Sequence, residues 1–225
     1  TPLGIEAEEL LDKCIDCGQC MVKCPTFRLL NEDEESPRGR IQLMRKMYAT
    51  GVVDHELQQR LDHCLTCRSC EAMCPEHVPF GHLLDITKSH IEKELPRSWR
   101  TQLLRLGMRM VVPFRGRFGL VLFLGRLFRK HLSPTLRAKV ELPIAAAGPW
   151  PDKPRKRRML VWTGCAQPSL GPSINPAAAR VLDRFGIRLE TGDEGCCGAL
   201  SLHMAAPEDS LSHMRRNIDA LWPQV

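Results

Sequence analysis

Eight cysteines in two copies of one pattern constrain this 225-residue chain more than any other feature. Cys14-x2-Cys17-x2-Cys20-x3-Cys24-Pro25 recurs, offset by 50 positions, as Cys64-x2-Cys67-x2-Cys70-x3-Cys74-Pro75. Three thiolates at this spacing require a tight backbone loop wrapped around one side of a shared object. The proline after the fourth cysteine turns the chain away and offers no N–H. Tetrahedral zinc, the structural alternative, usually pairs two Cys-x2-Cys knuckles across a longer loop. Third and fourth cysteines in fixed register, twice, favour a four-iron cluster in each run.

The fourth cysteine of such a run does not reach back comfortably to its own cluster, and in two-cluster proteins it ligates the other one. The expected ligand sets are therefore crossed. Cys14, Cys17, Cys20 and Cys74 are expected to hold one [4Fe-4S] cluster, and Cys64, Cys67, Cys70 and Cys24 the second. Crossing makes the two clusters neighbours, which suits electron hopping. Thr26 and Phe27, and Val78, Pro79 and Phe80, follow the two Cys-Pro turns and are placed to keep water from the cubes. In Ser36-Pro37-Arg38-Gly39-Arg40 the two arginines either offset anionic clusters, bind an acidic partner, or lie solvated at a plain turn. His63 precedes Cys64, and either bonds a sulfur or sits on the surface.

Charge divides the chain into three. Residues 97–158 hold 16 Lys/Arg and 2 Asp/Glu, a balance of +14, while the remainder carries −8, from 16 basic and 24 acidic residues. The expected domains are a two-cluster domain over 1–96, a basic helical connector over 97–158, and a partial α/β cysteine-rich domain over 159–225. The first is mainly helical, with helices over Ile41–Ala49, Leu57–Leu61 and Pro79–Glu94. The connector is punctuated by prolines including Pro113, Pro134 and Pro143, and its Pro149–Arg158 stretch reads as an exposed linker. Beyond it, Met159–Trp162 reads as a strand and Pro176–Phe185 as a helix capped by Asn175. Ile187–Glu190 reads as a second strand and Asp209–Leu221 as a second helix. The fold class is thus α+β and mainly helical.

No leader-like segment opens the chain and no apolar run approaches the ~18 residues of a membrane span. Clustered cysteines without an export signal point to a reducing, cytoplasmic compartment. Arginine interleaved with Leu103, Leu104, Met110, Phe114, Phe123 and Phe128 has three readings. It is a packed connector, a face for an acidic partner, or a basic amphipathic surface for an anionic membrane. Nucleic acid is not expected, since no recognition motif and only one Tyr accompany the charge. No nucleophile motif, phosphate loop or dinucleotide fingerprint is present, so no catalytic residue is assigned.

The runs Cys14-Ile-Asp-Cys17-Gly-Gln-Cys20-Met-Val-Lys-Cys24-Pro25-Thr26-Phe27 and Cys64-Leu-Thr-Cys67-Arg-Ser-Cys70-Glu-Ala-Met-Cys74-Pro75 resemble the iron–sulfur subunits of bacterial glycolate oxidases (glycolate dehydrogenases). Ser36–Ile41, Thr163–Asn175 and Cys196-Cys197-Gly198 fit the same family. The resemblance implies an electron-transfer subunit of an oxidoreductase complex. Flavin-containing partners would oxidise glycolate, and electrons would pass on to a membrane quinone or another acceptor, with the subunit peripheral at the inner face of the cell membrane. The cysteine runs are shared with lactate-utilisation, glycerol-3-phosphate dehydrogenase and heterodisulfide reductase subunits, which remain alternatives. Cys165, Cys196 and Cys197 resemble one cysteine-rich (CCG) domain, of which the family usually carries two. The chain therefore reads as truncated. Three thiolates suffice for a third cluster with an open or non-cysteine site; a redox-active or merely buried pair is the alternative.

Overall fold

The computed structural model describes residues 2–140 and 146–224, so Pro143 lies outside the described residues. The chain divides into two compact units, Thr1–Trp99 and Arg100–Val225.

The first unit is a helical bundle built around the cysteine loops. Its helices are α1 (Pro2–Asp12), α2 (Pro25–Leu30), α3 (Pro37–Thr50), α4 (His55–Asp62), the single turn α5 (Ser69–Ala72) and α6 (Phe80–Glu94). The starts of α3 and α4 are written locally. Ser36 Oγ accepts from Gly39 N at 2.9 Å, with Pro37 at the first helical position, and Asp54 Oδ1 accepts from Leu57 N at 2.8 Å. Gly51, at φ +68°, ends α3 in a left-handed conformation that glycine adopts without a Cβ penalty. Leu10 and Leu11 of α1, Ile41 and Met44 of α3, Leu57 and Leu61 of α4, and Leu83 and Leu84 of α6 form the core. Helix α1 was not anticipated, although Ala7, Leu10 and Leu11 follow helical spacing and all three are buried.

The second unit contains α7 (Trp99–Val111, which begins at the boundary), α8 (Arg115–Leu127), α9 (Pro134–Lys139), β1 (Arg157–Val161) and α10 (Gln167–Leu170). It continues with α11 (Ile174–Arg184), β2 (Ile187–Thr191), α12 (Ala199–His203) and α13 (Pro207–Leu221). Strands β1 and β2 pair in parallel, from Arg157 opposite Ile187 to Val161 opposite Thr191, with α11 in the crossover. The whole is α+β and mainly helical, as the sequence predicts.

Two local expectations are corrected. Helix α11 starts at Ile174, so Asn175 lies inside its first turn and does not cap it; its Oδ1 accepts from Gln167 Nε2 at 2.7 Å. The stretch 149–158 is not a free linker. Trp150 Nε1 donates to Leu189 O at 3.2 Å, Arg155 grips Asp183 through two bonds of 2.8 and 3.0 Å, and Arg157 and Arg158 belong to β1. Helices α7 and α8 bury no residue, and both belong to the same compact unit as the cysteine-rich segment from Arg100 on.

Candidate metal centres

The internal repeat extends to the backbone. Within Cys14–Cys20, Asp16 (φ +54°) and Gly18 (φ +75°) are left-handed, and at the same positions of Cys64–Cys70 so are Thr66 (φ +50°) and Arg68 (φ +57°). Left-handed backbone at a β-branched threonine is strained, and such strain persists only where the surroundings enforce it. Alternating hand turns successive N–H groups to one side and makes an anion-binding concavity of the kind found at iron–sulfur sites. Arg45 fixes the first loop: Nη1 donates to Asp16 Oδ2 at 2.5 Å, and Nη2 to the carbonyls of Leu11 and Cys14 at 2.8 and 2.6 Å.

Two cavities lie beside these loops. The first encloses about 450 Å³, counting space open to solvent, and is lined by Cys14, Cys17, Cys20, Cys70 and Cys74. The second encloses about 390 Å³ and is lined by Cys24, Cys64, Cys67 and Cys70. Cys70, Pro37 and Phe80 line both, so the two share a wall. Each Cys-Pro turn lies at the cavity of the opposite run: Cys24-Pro25 beside Cys64 and Cys67, and Cys74-Pro75 beside Cys14, Cys17 and Cys20. Val78 and Phe80 line the first cavity, and Thr26 and Phe80 the second, whereas Phe27 and Pro79 line neither. Among the described residues no three His, Cys, Asp or Glu side chains converge where one ion would sit. Ligands at the corners of a four-iron cube stand wider apart than the four around one zinc. Donor set, loop concavity and cavity therefore fit one such cluster at each site.

Burial and mutual crowding oppose ionisation of the inner thiols. Burial, reinforced by the charges of Cys14, Cys17 and Cys74, pushes the Cys20 thiol up to about 11. Burial followed by Cys64 and Cys20 pushes Cys70 up to about 12. Burial also raises Cys64, against opposing pulls from the Thr66 backbone, Arg40 and Lys88. Exposed Cys67 is instead held low by the hydroxyl and N–H of Ser69. Thiols raised in this way resist ionising unaided, and a coordinating metal would deprotonate them. Val78 N, 3.5 Å from Cys74 Sγ, donates a bond of the type that tunes cluster potentials.

The segment Ser36–Arg40 is no plain turn. Gly39 packs so tightly that a Cβ there would lie 2.1 Å from Asp33 O. Arg38 pairs with Asp33 and lines the first cavity. Arg40, 1% exposed, lines the second, with Nη2 donating to Glu35 Oε2 at 2.7 Å and Nη1 to Thr26 Oγ1 at 3.1 Å. Arg60 and His63 both bind the other oxygen of Glu35, at 2.8 and 2.7 Å. His63 is thus occupied by a carboxylate rather than by a cysteine sulfur. Glu35 was missed from sequence because a carboxylate in the acidic run Glu32–Glu35 carries no local sign of burial.

The last three cysteines follow the C-terminal ends of the parallel strands, the usual place for a site in a parallel sheet. Cys165 lies after β1, and Cys196-Cys197 after β2. Burial first, then Gly198, Cys165 and Cys197, act on the Cys196 thiol, which stands at about 11. Gly198 N is 3.5 Å from Cys196 Sγ, and Gly198, at φ +87°, leaves no room for a Cβ, which would meet Ser210 O at 2.8 Å. The two loops are tied by residues that sequence reasoning did not single out. Glu194 Oε1 accepts from Thr163 N at 3.0 Å, from the Thr163 hydroxyl, and from Arg115 Nη2 at 2.7 Å. Asn217 accepts from Gly195 N and donates to Cys196 O, both at 2.7 Å.

Comparison with known proteins agrees with this division. Residues 10–78 match the 4Fe-4S dicluster domain and residues 159–224 the cysteine-rich domain. The chain is similar to the glycolate oxidase iron-sulfur subunit of Escherichia coli (strain K12), at 42% identity over 99% of this chain and 55% of that protein. It is also similar to the probable glycolate oxidase iron-sulfur subunit of Bacillus subtilis (strain 168), at 28% identity over 94% of this chain and 54% of that protein. The chain thus spans about half the length of the curated relatives it matches. No solved structure matches.

Proposed function

We propose that this chain, which joins a 4Fe-4S dicluster domain to a cysteine-rich domain and resembles glycolate oxidase iron–sulfur subunits along nearly all of its length, is the electron-transfer part of a glycolate (2-hydroxy-acid) dehydrogenase. It takes electrons from a flavin-containing partner and passes them through two [4Fe-4S] clusters towards a quinone or another acceptor. The observation that carries the reading is the shared wall. Two cysteine-lined cavities have Cys70, Pro37 and Phe80 in common, and neighbouring clusters suit hopping. The ligand sets are crossed, Cys14, Cys17, Cys20 and Cys74 for one cluster and Cys64, Cys67, Cys70 and Cys24 for the other.

When bound, the clusters supply reversible one-electron reduction. The chain's residues hold and insulate them. The left-handed loops aim N–H groups inward, Val78 and Phe80 exclude water, and exposed Cys17 and Cys67 leave each centre an edge close to solvent. Oxidation of the hydroxy acid takes place on partner subunits. Cys165, Cys196 and Cys197 hold a third iron–sulfur centre, which Asn217 and Glu194 keep assembled.

Attachment is peripheral, at the inner face of the cell membrane. Among the described residues no helix is long and apolar enough to cross a membrane. Instead Leu103, Leu106 and Met110 of α7, and Leu120, Phe123, Leu124 and Leu127 of α8, form exposed stripes at helical spacing. No acidic residue occurs from Trp99 to Leu127. Apolar stripes on helices with only basic charge suit an anionic lipid surface.

Iron and acid-labile sulfide per chain, measured on anaerobically purified protein together with zinc, test the central claim. About eight of each are expected for two four-iron clusters, with an excess for the third centre. Zinc without sulfide overturns the proposal.

A further inference from the structure

We propose that the cluster held by Cys24, Cys64, Cys67 and Cys70 has the higher reduction potential of the pair, and that Arg40 sets the difference. This rests on the two-cluster reading above and goes beyond it, to the direction in which electrons run.

The two cavities differ in local charge. The second is lined by the cations Arg40 and Arg68 and by no carboxylate, and their partners Glu35 and Glu71 stand outside the lining. Arg40 itself is 1% exposed and lines that cavity. At the first cavity, charges cancel in pairs. Arg38 is matched by Asp33 and Arg45 by Asp16, all four side chains 31–45% exposed, and the Glu76 carboxylate also lines the wall.

An electron arriving at a cluster adds one negative charge and takes up no proton. A guanidinium stays charged throughout. Its attraction for that electron grows as the surroundings become less polar, whereas exposed pairs are screened by water and salt. Arg40 therefore favours the reduced state of the second cluster more than any group at the first cavity favours its neighbour. One electron passes from the first cluster, which is oxidised, to the second, which is reduced, with no bond made or broken. The second cluster is the one from which electrons leave, beside exposed Cys67.

Redox-poised EPR titration of the full chain, reconstituted and matched for iron and sulfide, tests this. Cys17→Ser and Cys67→Ser variants first identify each signal by altering its spectrum. The wild type is expected to show the Cys67-sensitive signal at the higher midpoint. Arg40→Gln should shift that midpoint downward and leave the other in place, Arg40→Lys should restore it, and Arg38→Gln should not move it. If Arg40→Gln loads poorly, Arg60→Gln, more exposed and outside the cavity lining, decides, with a smaller downward shift of the same signal expected. A Cys67-sensitive signal at the lower midpoint overturns the proposal. So do midpoints that stay put, or move together, in Arg40→Gln, or in Arg60→Gln where that variant decides. Absence of iron and sulfide from the wild type is a separate result, which removes the two-cluster reading instead.

Discussion

Glu35 and Arg40, five residues apart, form an ion pair closed to solvent, with Arg40 Nη2 donating to Glu35 Oε2 at 2.7 Å and side chains 0% and 1% exposed. Burial by itself would raise the Glu35 carboxyl, but bonds from Arg60 and His63 hold it below its ordinary value. Removing one partner of such a pair strands the other charge away from water. Glu35→Ala is therefore expected to cost about 3–5 kcal/mol of stability, read as a lowered denaturant midpoint of the iron-loaded chain. A loss under about 1 kcal/mol, the range of a surface pair, would show that the pair is not closed.

Cys24 belongs by sequence to the first run but lines the cavity of the second. In Cys24→Ser the perturbed cluster should be the one that Cys67→Ser also perturbs, and Cys17→Ser should affect the other. EPR of the three variants decides, and co-perturbation of the Cys24 and Cys17 signals would rule out crossed ligation.

The stripe on α8 is exposed, so changes there leave the core intact. Leu120→Glu with Phe123→Glu should abolish co-flotation with vesicles containing anionic lipid while iron content stays that of the wild type. Wild-type binding should weaken as salt rises, because part of it is electrostatic. Flotation that is unchanged in the double variant would remove α8 from the membrane-facing surface.

Arg155 holds the Asp183 carboxyl below its ordinary value of 3.8 and anchors the 149–158 strap to α11. A carboxyl lowered in the folded state adds stability in full above its unfolded value and loses it as pH falls through its folded value. Asp183→Asn should therefore melt below wild type near neutral pH, and the difference should close below about pH 4. Tryptophan fluorescence follows this, since Trp150, Trp162 and Trp222 lie in the second unit. A gap that widens with acid would contradict it.

Much of this protein is local, and so could be read directly. The cysteine spacing prescribes tight loops that recur with the same left-handed positions, Ser36 and Asp54 cap the helices they precede, and Gly186, at φ +73°, marks the turn between α11 and β2. These depend on contacts within a few residues, and short-range chemistry is written in short-range sequence. The burial of Glu35 and Arg40 is different. Both look like surface residues in a charged stretch, and only the packing of α3 against Asp33–Glu35, permitted by Gly39, closes them from water beside Cys24 and Cys64. Likewise Glu194 and Asn217 carry no motif. They matter because parallel pairing of β1 with β2 brings the loops after both strands together. Sequence alone determined the cysteine spacing and the local turns that it imposes. Tertiary structure decided which charges stand beside them, because burial and pairing depend on residues that meet only when distant segments pack.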